Sequence, residues 1–269
     1  MKPGIYPDLD IEDYHSGPGL SSTELKPLSD GGTIAEFLHE RENITISPDA
    51  RERGHILHDA ILTPDAPDHA YRFYDAHKTR CKTYQKWAKK NECIGLFPDD
   101  LEMVAGIRRQ LADHEIIQGG LLSDGKAECS FFAEISGELC KVRPDWLAEI
   151  DEGNVILDLK SLRKGYSHRK KWSREMDNRK YDLSAAMYCD VVEAATGKPV
   201  VAYLFLVVEK EPPYLTAIYH LQEESLAVGR GRFHDALDKY KRWQAGEIKH
   251  LGHPQTIQPI DLPKWRLNQ

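Results

Sequence analysis

The chain has 269 residues, 41% hydrophobic and 29% charged, enough to bury a large core without disulfides or structural metals. Its net charge of −7 excludes a protein that coats nucleic acid by bulk charge. No run reaches the roughly 18–20 apolar residues of a membrane span, so no membrane partner is expected. The five cysteines, Cys81, Cys93, Cys129, Cys140 and Cys189, are odd in number and form no CxxC pair. That pattern argues against a disulfide framework or a zinc ribbon and for reduced thiols in a cytoplasmic protein.

Residues 1–19 lack a basic start followed by an apolar run, so they read as an irregular Gly/Pro/Asp-rich arm rather than a secretory signal. Residues 20–24 carry cap-forming side chains that open a helix. Gly31-Gly32 interrupts it, and a second short helix runs through Glu40. Over residues 48–62, Ile56, Leu57, Ala60 and Ile61 form one helical stripe. Residues 80–92 and 98–117 also read as helices, the latter opening on Pro98-Asp99-Asp100.

The pattern changes after Gly120. Residues 127–135, 138–150 and 154–161 are apolar runs divided by Ser136-Gly137 and Asp151-Glu152-Gly153, which predicts three successive strands in a meander. Residues 167–178 and 180–196 return to helix. Residues 200–208 (VVAYLFLVV) suit a strand buried on both faces. A strand over 214–220, a long helix over 222–246 and an irregular tail from His250 complete the pass. The sum is an α/β fold, a mixed central sheet flanked by helices. The expected organisation is one domain over 1–249, helical over residues 1–118 and with its catalytic core over residues 119–249, and then a tail over 250–269.

The chemistry concentrates in residues 141–161, KVRPDWLAEIDEGNVILDLKS. Strand alternation puts Ile156, Asp158 and Lys160 on one face and Leu157 and Leu159 on the other. An acid and a lysine inside an apolar strand are costly to bury without a purpose. Asp145, one hairpin earlier, comes within reach of Asp158. Two converging carboxylates make a site for a hard divalent cation, Mg²⁺ or also Mn²⁺, which polarises a phosphoryl oxygen. Lys160 then stabilises developing negative charge. The alternative is an ion pair that only supports the sheet. Glu128, among small and apolar neighbours in AECSFF, faces either the same site or solvent. His58, with Gly54 one turn earlier on the same helix face, is either a metal ligand or a core histidine.

From Arg163 to Lys180 eight Lys/Arg outnumber two acids, a local +6 on a chain whose remainder carries −13. Such a segment is a phosphate-contacting surface or a solvated face. Tyr166 and Trp172 within it are candidates for stacking on bases.

The order Gly-x-x-x-His, a strand glutamate, C-K-V-R-P-D-W, I-L-D-L-K-S and a tyrosine-bearing helix resembles the exonuclease VIII (RecE) family of the PD-(D/E)xK nuclease superfamily. The opening YHSGPGLSSTELK resembles the start of that nuclease domain. The resemblance spans about residues 1–245 and implies a restriction-endonuclease-like core. It implies that His58, Asp145, Asp158 and the backbone carbonyl of Leu159 ligate the metal. Glu128 acts through metal-bound water or a second metal, and Lys160 is the catalytic lysine. With that reading the basic segment is taken as DNA-contacting, at Arg163, Lys164, Arg169, Lys170, Lys171, Trp172 and Arg174, together with Arg143, Tyr181, Ser184 and Tyr188. Members of the family degrade linear duplex DNA 5′ to 3′, leave a 3′ single-stranded tail for recombination, work with a strand-annealing protein and form rings. One departure is Ser184, where relatives carry the glutamine of Q-x-x-x-Y; serine lacks the two-ended amide contact. Relatives with an iron–sulfur cluster hold it on four cysteines, and the spacing here lacks their clustered C-terminal trio. The competing readings are a single-strand-specific or endonucleolytic enzyme of the same fold, a non-catalytic DNA-binding module, and a plain structural protein.

Overall fold

The computed structural model describes residues 1–43, 48–65, 69–76 and 79–262. The end of the expected tail, residues 263–269, lies outside the described residues.

The N-terminal arm is ordered, contrary to the irregular arm expected. It contains β1 (Gly4–Tyr6) and α1 (Ile11–Ser16). Asp10 caps α1, its carboxylate accepting from the Glu12 amide at 2.7 Å. β1 is fixed by pairing with a strand more than a hundred residues away, which local pattern does not reveal. Then come α2 (Ser22–Leu25), a single 3-10 turn (Lys26–Leu28), α3 (Ile34–Glu42) and α4 (Pro48–Leu62). Ser21 with Glu24, and Thr33 with Glu36, form reciprocal capping boxes at α2 and α3. A short parallel pair, β2 (Tyr71–Phe73) and β3 (Ile94–Leu96), brackets α5 (Lys82–Asn91). The helix expected over 98–117 is two helices, α6 (Pro98–Ala112) and α7 (Glu115–Gln118), broken at Asp113-His114.

The predicted meander is divided between two sheets. Its pieces are β4 (Lys126–Ala127), β5 (Ser130–Ile135), β6 (Glu138–Val142), β7 (Trp146–Ile150) and β8 (Gly153–Leu162). Strands β5 and β6 join β1 in a three-stranded sheet ordered β1-β5-β6. Strands β7 and β8 join the main sheet. Two interruptions cause the split. Pro144 offers no amide to a ladder, so the chain bends at residues 143–145. Glu128 takes a left-handed φ of 51°, which separates β4 from β5. Glu128 and Asp145 therefore sit in bends at strand ends, not within strands as expected.

A crossover through α8 (Arg169–Asn178) and α9 (Tyr181–Thr196) brings β9 (Val200–Glu209) parallel to β8. β10 (Thr216–His220) pairs antiparallel with β9, and α10 (Glu223–Gln244) packs on α9. Gly229 allows that approach, since a Cβ there would lie 2.2 Å from the Asp182 carbonyl oxygen. The main sheet runs β10-β9-β8-β7-β4. Its two faces have separate cores. Ile156, Tyr203, Phe205 and Val207 pack with Leu183 and Met187 of α9 and Phe233 of α10. Leu157, Leu159, Leu204 and Leu206 pack with Leu57 and Ile61 of α4 and Met103 and Ile107 of α6. The period-two alternation of β8 and β9 is what assigns each side chain to its layer. All five cysteines are free thiols. Among the described residues no helix is long and apolar enough to cross a membrane.

Candidate active site

The site forms where α4 crosses the end of the main sheet. Its apolar stripe, Leu57 and Ile61, docks on the Leu157/Leu159 layer, and this turns His58 toward the bends at Glu128 and Asp145. His58 Nδ1 lies 3.3 Å from Glu128 Oε1 and 3.8 Å from Asp145 Oδ1. One ligand atom from each of the three residues falls within 4.8 Å of the other two. A Cβ at Gly54, one turn before His58, would meet nothing within 4 Å, so this face of α4 is open.

The bend holding Asp145 is tied to the strand beside it. β7 pairs with β8 only as far as Trp146 opposite Leu157, which leaves the next β8 amides without a strand partner on that side. The Leu159 amide donates instead to Asp145 Oδ2 at 2.6 Å. In an extended strand a residue's N–H and C=O point to the same side, so the Leu159 carbonyl faces this corner as well. Asp158, only 4% exposed, accepts from the Lys160 ammonium at one oxygen and from the Tyr203 hydroxyl, 2.9 Å away, at the other. Glu128 is held from behind by Arg143, whose Nε donates to Oε2 at 2.9 Å.

These placements move protons. Burial alone would lower the His58 pKa, but Asp145 and Glu128 override it and push it up to about 9. Burial, aided by the nearby Asp158 charge, pushes Asp145 up to about 7. Burial acts upward on Asp158 too, yet Lys160 and the Tyr203 hydroxyl hold it below the usual carboxylate value. Burial works against the Lys160 charge, but Asp158 and Asp145 keep it protonated well above the ordinary lysine range. The donor set suits a hard or borderline divalent cation: one imidazole, two converging carboxylates, a third carboxylate nearby and a backbone carbonyl.

A family model described as "PDDEXK-like domain of unknown function (DUF3799)" matches residues 21–252. The chain belongs to this PDDEXK-like family. Among solved structures, an Eubacterium rectale protein provisionally named an exonuclease matches at 15% identity with a TM-score of 0.62, over 95% of this chain and 97% of that one. A phage-related exonuclease from Haemophilus somnus 129PT matches at 12% identity with a TM-score of 0.36, over 86% of this chain and 96% of that one. The first likeness shows a shared fold. No curated protein matches.

The PDDEXK-like core brings His58, Glu128 and Asp145 together and sets Asp158 and Lys160 beside them on one face of β8. Of the trio His58, Asp145 and Asp158 that the resemblance implied, His58 and Asp145 converge and Asp158 lies beside Asp145. Glu128 belongs to the group, while Asp158 is turned to Lys160 and Tyr203. Arg163, Lys164, Arg169, Lys170, Lys171 and Arg174 are exposed around the start of α8. Arg163 lies 3.9 Å from the centre of the Tyr166 ring. Other expected DNA contacts are turned inward. Trp172 is 3% exposed, packed on Tyr181 at 5.8 Å and edge-on to Phe205 at 5.2 Å, because its place on α8 faces the sheet. Its ring is therefore not presented to bases. Arg143 bonds Glu128, the Leu9 carbonyl at 2.7 Å and Ser130 Oγ at 3.0 Å, and so acts as an internal brace. Ser184 is buried in α9, and Tyr188 is half-buried beside Tyr203.

Sequence reasoning missed Tyr203. Its signal was present, since it is the only hydroxyl in the apolar run of β9, but its partner depended on the β8–β9 register. It also missed the cleft of about 640 Å³ that leads to His58 and Glu128, walled by residues 7–11, His15, His55 and His69.

Proposed function

We propose that the chain is a divalent-metal-dependent deoxyribonuclease that hydrolyses linear double-stranded DNA from its ends, 5′ to 3′, leaving 3′ single strands for recombination. The observation that carries the nuclease reading is the convergence of His58, Glu128 and Asp145 beside an Asp158–Lys160 pair on one buried strand. End preference and polarity are supported by the exonuclease VIII resemblance of the motif order. So are a strand-annealing partner and a ring-like homo-oligomer.

His58, Glu128 and Asp145 would hold the cation, Mg²⁺ or Mn²⁺, with Asp158 and the Leu159 carbonyl nearest to complete its shell. When bound, the ion supplies Lewis-acid polarisation of a phosphoryl oxygen and its own positive charge at the reacting phosphate. The protein's role is positional. The Leu159 amide orients Asp145, Tyr203 orients Asp158, and Arg143 orients Glu128. Lys160, charged throughout the working pH range, is placed to stabilise negative charge developing on the phosphate. The exposed lysines and arginines of α8 supply sequence-independent phosphate contacts.

A second reading, cleavage restricted to single strands, is favoured by the cleft. Its volume of about 640 Å³ is that of a small-molecule site, the size of a few nucleotides of one strand. The deciding experiment is digestion of linear duplex labelled at the 5′ or the 3′ end, with Mg²⁺ or EDTA, for wild type and Lys160→Ala. Early Mg²⁺-dependent release of the 5′ label, absent in Lys160→Ala, is expected. Cleavage of only single strands or circles would move the function to the second reading or to an endonuclease. Binding without any cleavage would leave a DNA-binding module.

A further inference from the structure

Lys26 belongs to the 3-10 turn that follows α2, outside the cluster of acids that would hold a cation. The turn is pinned in place, because the Lys26 carbonyl accepts from Lys180 Nζ at 2.9 Å and from Ser29 Oγ at 2.9 Å. Lys180 immediately precedes Tyr181, the first residue of α9. The Lys26 ammonium stands 4.9 Å from the centre of the Tyr181 ring, and the Lys160 ammonium stands 5.0 Å from the same centre. Two cations thus share one aromatic ring beside the acids of the site.

Lys160 has its counter-ion in Asp158. Lys26 has none: among the described residues no carboxylate lies within 4.0 Å of its ammonium and no acceptor takes a hydrogen bond from it. The acids that act on it from a distance are Asp158 and Asp182. Both are committed, Asp158 to Lys160 and Tyr203, and Asp182 to Arg232 through both oxygens at 2.8 and 2.9 Å. Burial, with Lys160 adding to it, lowers the Lys26 pKa to about 8. A half-buried ammonium beside a second cation is costly, and the Tyr181 ring offsets only a fraction of that cost. The arrangement becomes favourable when an anion arrives.

We propose that Lys26 and Lys160, sharing the Tyr181 ring, form an anion site for the nucleic-acid backbone, with Lys26 gripping a phosphate next to the one that Lys160 faces. The identity of the anion as a strand phosphate rests on the nuclease reading. The existence of the anion site does not.

The test uses the full chain as wild type, Lys26→Met and Lys26→Arg. Binding of a fluorescent single-stranded oligonucleotide in EDTA is followed by anisotropy across a salt series. Lys26→Met is expected to flatten the slope of log affinity against log salt by about 0.7–1 and to weaken binding, with Lys26→Arg close to wild type. In thermal unfolding, Lys26→Met is expected to melt no lower than wild type, and inorganic phosphate is expected to raise the midpoint of wild type but not of Lys26→Met. An unchanged salt slope and phosphate response in Lys26→Met overturns the anion site. So does a lower midpoint that Lys26→Arg fails to restore, which would assign Lys26 a packing role. If wild type cleaves DNA while Lys26→Met binds like wild type, the anion site falls and the nuclease stands. If wild type neither cleaves nor binds DNA but phosphate still stabilises it through Lys26, the nuclease reading falls and the anion site stands.

Discussion

Helix α4 carries two clusters of charge, and they are closed in different ways. Near its start, Asp49 and Glu52 meet Arg80 together with Asp100. The three carboxylates bond separate nitrogens of one guanidinium, at 3.0 Å for Nη1 to Asp49, 2.7 Å for Nε to Glu52 and 2.7 Å for Nη2 to Asp100. Farther along, His58 meets Glu128 and Asp145, and here the ligand atoms lie within 4.8 Å of one another. In the first cluster the protein supplies the central cation itself. In the second no such cation stands at the centre: burial pushes Asp145 up to about 7, and the Asp145 and Glu128 carboxylates push His58 up to about 9. Burial of charge alone does not separate a structural cluster from a binding one. What separates them is whether the protein's own side chains complete the charge pattern.

The contrast breaks if the two clusters respond alike to removal of a charge. The largest effect is expected from Asp145→Asn. Its amide oxygen still accepts from Leu159, and a buried carboxylate is relieved, so it should melt no lower than wild type. Its Mg²⁺-dependent cleavage should fall by about 10²–10³-fold or more. A loss of stability in parallel with activity would make the site a structural one. Arg80→Met should do the reverse. It leaves Glu52 without a cation and Asp49 and Asp100 with Arg53 alone, at 3.6 and 3.4 Å, at a cost of about 3–5 kcal/mol. For a chain of this size the melting midpoint then drops by about 2–4 °C per kcal/mol. The specific activity of the protein that remains folded should be unchanged.

The protons at the second cluster sharpen the comparison. Both raised groups must be deprotonated to bind a cation, so Mn²⁺ affinity of the metal-free protein should rise with pH. A gain of about tenfold per unit is expected where one proton is displaced. The rise should continue through about 7, as Asp145 loses its proton, and level off above about 9, once His58 is neutral. Calorimetry in buffers of different ionisation enthalpy would count the released protons, and a flat profile would rule out these residues as ligands. The smallest effect is expected from Tyr203→Phe, which removes one hydrogen bond to a charged group. It should lower kcat about tenfold, with little change in KM or in melting midpoint. An unchanged kcat would mean that Lys160 alone holds Asp158.

Much of this was legible along the chain. The alternation of VILDLKS placed Asp158 and Lys160 on one face and the two leucines on the other, and the two layers of the core follow that division. The capping residues around Ser21 and the stripe of α4 were equally local. What was not legible depended on distant neighbours. The arm at residues 1–19 looked irregular because β1 exists only against β5. Trp172 looked like a DNA contact because composition shows its chemistry and not its direction, and it is packed under α8. Arg143 lines the cleft and bonds Glu128, a pairing 15 residues apart that no local pattern shows.

The sequence by itself determined the periods and the stops. A two-residue repeat in β8 and β9, a helical stripe on α4, and a proline that prevents β6 from running into β7 all act within a few residues, through backbone sterics and hydrogen bonding. Only the tertiary structure decided which side chains meet. His58 and Glu128 are 70 residues apart, and Lys180 Nζ reaches the Lys26 carbonyl across 154. Such pairs are set by how two apolar layers close on one sheet, and packing of that kind belongs to the whole chain and to no segment of it.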